Sequence, residues 1–197
     1  MIRRFLMVSA VVSAACQAAE QASAQTAGGG LDSVLMRQTE GCLDGPMAQF
    51  GRYVGDWDIA DQTLSQDGTT WSPGNGARWN FTCVGNGIAV QDFWMPYGAE
   101  GAPPPGVGTN LRIYDAKEDR WDIAWTANGS PGFSHIRAKE DTAGNIVMHY
   151  VAPEQTPPRR ITFFPPNSEG WDWVLEMSFD SGETWRPVYK IKATRRE

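Results

Sequence analysis

From Gly55 onward, the chain is written in short apolar and aromatic runs broken by Gly, Asn, Asp and Pro, and this pattern constrains its fold more than any other feature. The runs fall near 55–64, 77–84, 87–95, 109–115, 120–127, 132–140, 145–152, 159–165, 171–179 and 184–193. Explicit turn sequences separate them: "VGNG", "DAKEDR", "DTAGN", "PPNSEG" and "DSGE". No helical pattern of 10–15 residues lies between them, which excludes a parallel α/β sheet and predicts an antiparallel meander. Roughly ten strands joined by tight turns must hide two sheet edges, and closure into an up-and-down barrel does so. The predicted fold is therefore all-β, a roughly ten-stranded antiparallel barrel, with a two-sheet β-sandwich as the alternative. A barrel of that strand number leaves room for an internal cavity.

Ahead of the strands, Met47, Phe50 and Tyr53 recur every three residues, which predicts a short helical segment laid on the core, with Pro46 in its first turn. "LDSVLMRQ" (31–38) suggests another short helix. The N-terminus reads as a signal peptide over residues 1–24: Arg3 and Arg4, the apolar run "FLMVSAVVSAA", then "ASA" as cleavage site. Residues 25–45 form a leader and 46–197 the barrel domain. An alternative cleaves before Cys16 and anchors the chain by a lipid there. The apolar run is too short to be a good membrane span, so the expected location is periplasmic or secreted.

The formal net charge is −6, and removing residues 1–24 (Arg3, Arg4 and Glu20) makes it one unit more negative. An acidic chain without a basic cluster argues against nucleic acid or an anionic membrane as partner. In an oxidising compartment Cys42 and Cys83 are expected to form a disulfide, with two free thiols as the alternative. No C-x-x-C or H-x-x-x-H spacing points to a metal site, and no cofactor is expected.

"GDWDI" (55–59) resembles the G-x-W motif of the lipocalin and calycin group, in which the tryptophan closes the barrel floor beneath a basic residue from the last strand. The resemblance implies that structural role for Trp57, with Arg195 or Arg196 expected to supply the cation. With "VQDFW", "LRIYD" and a terminal "DSGETW", the order is similar to a bacterial family of calycin-like domains of unknown function. The resemblance implies a fold and no reaction. "SFDSGETW" (178–185) also fits S-x-D-x-G-x-T-W, the aspartate box of sialidases and many secreted proteins, and "SQDGTTW" (65–71) is a shorter copy. A sialidase propeller needs a much longer chain and an arginine cluster absent here, so the motif is expected to staple a hairpin. Asp180 should then bond amides of its own loop.

Strand alternation, with the apolar parity inward, predicts the barrel interior. It points inward Trp79, Phe81 and Cys83; Ile88, Val90, Asp92 and Trp94; Leu111 and Ile113; Trp121, Ile123 and Trp125; and Trp171, Trp173, Leu175 and Met177. Arg112 and Tyr114 then point outward. The strands carrying His135 and Arg137, and Tyr150, read either way. A buried Asp92 needs a partner, and Arg137 is the expected one.

The resulting expectation is a small hydrophobic or amphipathic ligand in an aromatic-lined cavity formed by Trp79, Asp92, Trp94, Trp125, His135, Arg137, Tyr150 and Trp173. The chain carries nine tryptophans. The alternative is an isomerase, cyclase or lyase using Asp92, His135, Arg137 and Tyr150 as its acid–base set. A haem-binding variant requires His135 or His149 to face the cavity. "YGAEGAPPPGVG" (97–108) is expected as a loop at the barrel mouth.

Overall fold

The computed structural model describes residues 39–98, 101 and 105–196. The expected signal peptide, the Cys16 alternative, most of the leader and the 31–38 helix lie outside the described residues. The strands are β1 (Gly55–Leu64), β2 (Trp71–Pro73), β3 (Ala77–Val84), β4 (Ala89–Pro96), β5 (Gly108–Asp115) and β6 (Arg120–Ala127). They continue with β7 (Ser134–Glu140), β8 (Ile146–Ala152), β9 (Arg159–Phe163), β10 (Trp171–Met177) and β11 (Arg186–Arg195). All ten expected strands are present, with ends displaced by at most two residues. The unexpected one is β2. It flanks the second half of β1 (Gln62↔Pro73 to Leu64↔Trp71), beyond Ile59↔Ala77, where β3 ends its pairing with β1.

Neighbouring strands pair antiparallel in chain order, and β11 returns to β1 from Trp57↔Arg195 to Thr63↔Tyr189. That last ladder closes a ten-stranded barrel and rules out the sandwich. Closure leaves no long edge for another chain to pair with.

Two short 3₁₀ turns (Glu40–Cys42 and Gly45–Met47) lead into a single helical turn, α1 (Ala48–Gly51), with Pro46 at its start. Phe50 and Tyr53 are fully buried. The Phe50 ring meets Trp121 edge-on at 4.9 Å, and Tyr53 meets Trp171 at 5.1 Å. The Tyr53 hydroxyl donates to the Phe164 carbonyl (2.9 Å), and Trp121 Nε1 donates to Gln49 (2.8 Å). Burial pushes the Tyr53 phenol up to about 12. α1 thus plugs the barrel end where β1 begins. A disulfide between Cys42 and Cys83 ties this plug to the end of β3.

The G-x-W segment closes the same end. Trp57 is buried and donates from Nε1 to the Tyr53 carbonyl (2.8 Å). Its partner in the register, Arg195, lays its guanidinium 4.3 Å from the indole centre. Gly55 has φ 141°, and a Cβ there would sit 2.1 Å from Arg195 Nη1. Glycine at this position therefore serves both the backbone and the cation's approach. Arg196 instead pairs with Asp58 (3.1 Å).

Inside, the expected parity holds for β3, β6 and β10 but not for β5. Leu111 and Ile113 are exposed, whereas Arg112 is fully buried and Asn110 nearly so. The register explains the reversal. Val90 and Asp92, both fully buried, stand opposite Arg112 and Asn110, and residues directly opposite share a face. Ile88 lies in the turn before β4 and is 70% exposed.

Candidate functional site

A cavity of about 240 Å³ occupies the half of the barrel away from α1. Trp79, Trp94, Trp125, Trp173, Tyr150 and Tyr189 form its aromatic wall. Aliphatic side chains (Ile136, Met148, Ile161, Leu175 and Ile191) complete it, with Asn110, Arg112 and Phe163 deeper toward the plug. Trp94, Trp125, Tyr150 and Leu175 each stand two residues from the ends of their strands, so the cavity reaches the barrel end opposite α1. The 97–108 stretch joins β4 to β5 at that end; residues 99, 100 and 102–104 lie outside the described residues.

The aromatic walls are held in place by one another. Trp79 meets Trp94 edge-on at 5.0 Å, and Trp173 meets Tyr189 at 5.8 Å. Trp79 Nε1 is buried without a hydrogen-bond partner. The Tyr189 hydroxyl donates to Asp61 (2.8 Å). Burial first, and this carboxylate second, push the Tyr189 phenol far above its ordinary range. Burial likewise raises Tyr150, slightly offset by Arg159.

Five of the residues expected at the cavity line it: Trp79, Trp94, Trp125, Tyr150 and Trp173. Asp92 is inside the barrel and fully buried, but its partners differ from those expected. Arg112 Nη2 donates to Asp92 Oδ2 (2.5 Å), and the Asn110 backbone and side-chain amides both donate to the same carboxylate (3.0 and 3.1 Å). The anticipated Asp92–Arg137 pair does not form. Arg137 lies on the outer surface with His135, and both bond Asp122 Oδ1 (3.2 and 2.6 Å). Burial raises the Asp122 carboxyl, but the combined pull of His135, Arg137 and Arg120 holds it below the usual range.

Strand pairing decides these faces. Ile136 stands opposite Ile123 and Ala138 opposite Trp121, so the residues that alternate with them, His135 and Arg137, point away from the core. His149 is also outside, with its ring 6.0 Å from that of Trp185. Burial and then the Arg160 charge lower its pKa. Neither histidine lines the cavity, which removes the axial ligand a haem reading needs. Asp92, His135, Arg137 and Tyr150 do not converge, and the expected acid–base set is not assembled.

Asn110 and Arg112 are the polar lining residues that the apolar-parity rule missed. A signal was available. Counting outward from Asp115↔Arg120 across "DAKEDR" pairs Arg112 with Ile123 and Asn110 with Trp125, whose inward parity was legible.

The two aspartate-box-like sequences form turns at the cavity end. Asp180 Oδ1 accepts from the Thr184 amide (2.8 Å) and the Ser178 hydroxyl (2.8 Å), and its other oxygen takes the Thr184 hydroxyl. Asp67 bonds Ser65 and Thr69 in the same manner (2.5 and 3.1 Å). Arg186 donates to the Gly68 carbonyl (2.6 Å) and so joins the two turns. Asp180 is committed within its own loop and does not line the cavity.

No family model matches the chain. An alpha-amylase of Clostridium acetobutylicum is 24% identical over 138 residues, an alignment covering 65% of this chain and 17% of the amylase. The chain therefore spans about a sixth of that relative's length, the share being 17%. Among solved structures, an S-type phycobiliprotein lyase of Guillardia theta matches with a TM-score of 0.54 at 9% identity, covering 81% of this chain and 97% of the lyase. At that identity the likeness is one of fold. A closed ten-stranded antiparallel barrel with this neighbour fits a calycin-like domain.

Proposed function

We propose that the barrel binds a small hydrophobic or amphipathic organic molecule in the aromatic cavity. The observation that carries this reading is the hollow itself: a Trp- and Tyr-walled space of about 240 Å³ inside a barrel whose opposite end is solidly plugged. Protein interiors rarely leave voids larger than a water molecule, and a dry apolar cavity of ~150 Å³ already accepts benzene. A compact ring system of one or two fused rings suits this volume better than a long acyl chain. The disulfide supports a periplasmic or secreted location. Among the described residues, no helix is long and apolar enough to cross a membrane.

The solved neighbour is a lyase by name, which keeps chemistry in such a barrel open as a second reading. Here that reading would have to start from Tyr150, the one member of the expected acid–base set that lines the cavity. The amylase alignment gives sugar binding little support, because Asp180 and Asp67 are spent on their own turns.

The uncharged probe N-phenyl-1-naphthylamine tests the binding reading. Its emission should rise saturably while protein tryptophan emission falls, with one site per chain. If neither signal saturates, the cavity does not take ligands of this class.

A further inference from the structure

Arg159 is the first residue of β9 and alternates with Ile161 and Phe163, which line the cavity, so it sits on the inner face at the mouth. Its neighbour Arg160 points outward, pairs with Glu176 (2.8 Å) and lies 4.6 Å from the Trp185 ring. Every other described arginine has an ion pair, a hydrogen bond or a ring beneath it. Arg52 has Glu140, Arg78 has Asp56, Arg120 and Arg137 share Asp122, and Arg195 covers Trp57. Among the described residues Arg159 has none, and its Nε is buried without a hydrogen-bond partner.

Arg159 lines a recess of about 170 Å³ at the barrel rim together with Tyr150, Gln155 and Glu154 and with the outward-facing His149 and Trp185. Tyr150 belongs to this recess and to the aromatic cavity alike, so the two spaces share one wall. Glu154 is the carboxylate in the recess, and among the described residues no ion pair joins it to Arg159. A guanidinium with a buried unmet donor, at the rim of an apolar hollow in an acidic chain, is a half-made anion site. Arg112 deeper in the barrel also keeps buried unmet donors, Nε and Nη1, and lines the cavity, but its charge is already neutralised by Asp92 and covered by the Phe50 ring at 4.7 Å, so it offers no net charge to a ligand.

We propose that the ligand is an amphipathic organic anion, a compact ring system bearing a carboxylate or sulfonate, with its rings in the aromatic cavity and its anionic group on Arg159 beside Tyr150. This inference rests on the binding reading above and names the polarity of the ligand and its orientation.

The experiment displaces N-phenyl-1-naphthylamine with 2-naphthoate and, separately, with its uncharged counterpart 2-naphthamide, at pH 7 and low salt. The wild type should prefer 2-naphthoate at least tenfold. Arg159→Gln should bring 2-naphthoate to the affinity of the amide and leave both the amide and the neutral probe unchanged, which also shows that the variant is folded. Arg159→Lys should keep part of the preference. Equal displacement by acid and amide in the wild type, or a preference that survives Arg159→Gln, overturns the anionic ligand while leaving the cavity reading intact. Failure of the neutral probe to bind overturns both.

Discussion

Arg112 and Asp92 meet 2.5 Å apart in the barrel interior, and neither side chain is exposed to solvent at all. Asn110 supplies the remaining donors to the carboxylate, and the Phe50 and Phe81 rings lie 4.7 and 5.1 Å from the guanidinium carbon. A buried pair of this kind contributes little compared with well-packed apolar residues, but losing one partner strands a charge. Arg112→Met and Asp92→Leu should therefore each cost about 3–5 kcal/mol in urea unfolding. The double variant should cost clearly less than the sum of the two. Two single losses below ~1 kcal/mol would show that water or a neighbour compensates the stranded group.

The reversal of β5 shows where the sequence is legible and where it is not. Strand positions follow from turn residues close in sequence, and all ten expected strands are present. Which face of a strand points inward depends on its neighbours. For β3 and β6, aromatic side chains mark the core. For β5, the polar Asn110 and Arg112 go inside because Asp92 on β4 is already there and needs donors, and Leu111 and Ile113 are left on the surface. His135 and Arg137 follow the same logic in reverse: Asp122, on the adjacent strand and outside, takes both. The four tryptophans of the cavity wall were legible because they follow the alternation, whereas Tyr189 was not among the expected residues. The wall's polar partners were not legible, because hydrogen bonding across strands overrides the apolar rule.

The Cys42–Cys83 bridge spans 41 residues and ties the plug to β3. Loop closure of that length restricts the unfolded chain by about 4 kcal/mol on the chain-entropy model. Replacing both cysteines with alanine should lower stability by roughly 2–4 kcal/mol, read as a shift in the denaturant midpoint. Reductant should move the wild type toward the double variant and leave the variant itself unmoved. A reductant effect of equal size on both would place the destabilisation elsewhere.

Asp180 should titrate abnormally. The Thr184 hydroxyl and amide, and then the Ser178 hydroxyl, hold its carboxyl down at about 2, against an ordinary value of 3.8. A folded-state pKa below the unfolded one means that the turn's contribution is fully present above about pH 4 and is lost as pH falls through about 2. In an NMR titration the Asp180 carboxyl carbon should move with a midpoint near 2, and the Thr184 amide should follow it. A midpoint close to 3.8 would mean that the turn's hydrogen bonds are not maintained in solution.

The binding reading also predicts that filling the hollow abolishes binding while leaving the fold intact. Leu175 is half-buried, lines the cavity and stands two residues from the end of β10, beside the bulge between Leu175 and Glu176. Leu175→Trp places an indole in space the structure leaves open, next to an irregular ladder able to shift slightly. Overpacking of a filled core costs about 1–3 kcal/mol, and a side chain entering an existing void should cost less than that. Affinity for N-phenyl-1-naphthylamine should fall at least tenfold, with the thermal midpoint nearly unchanged. Retained affinity would place the probe outside the barrel, whereas a large drop in the midpoint would show that the space at Leu175 is already packed in solution.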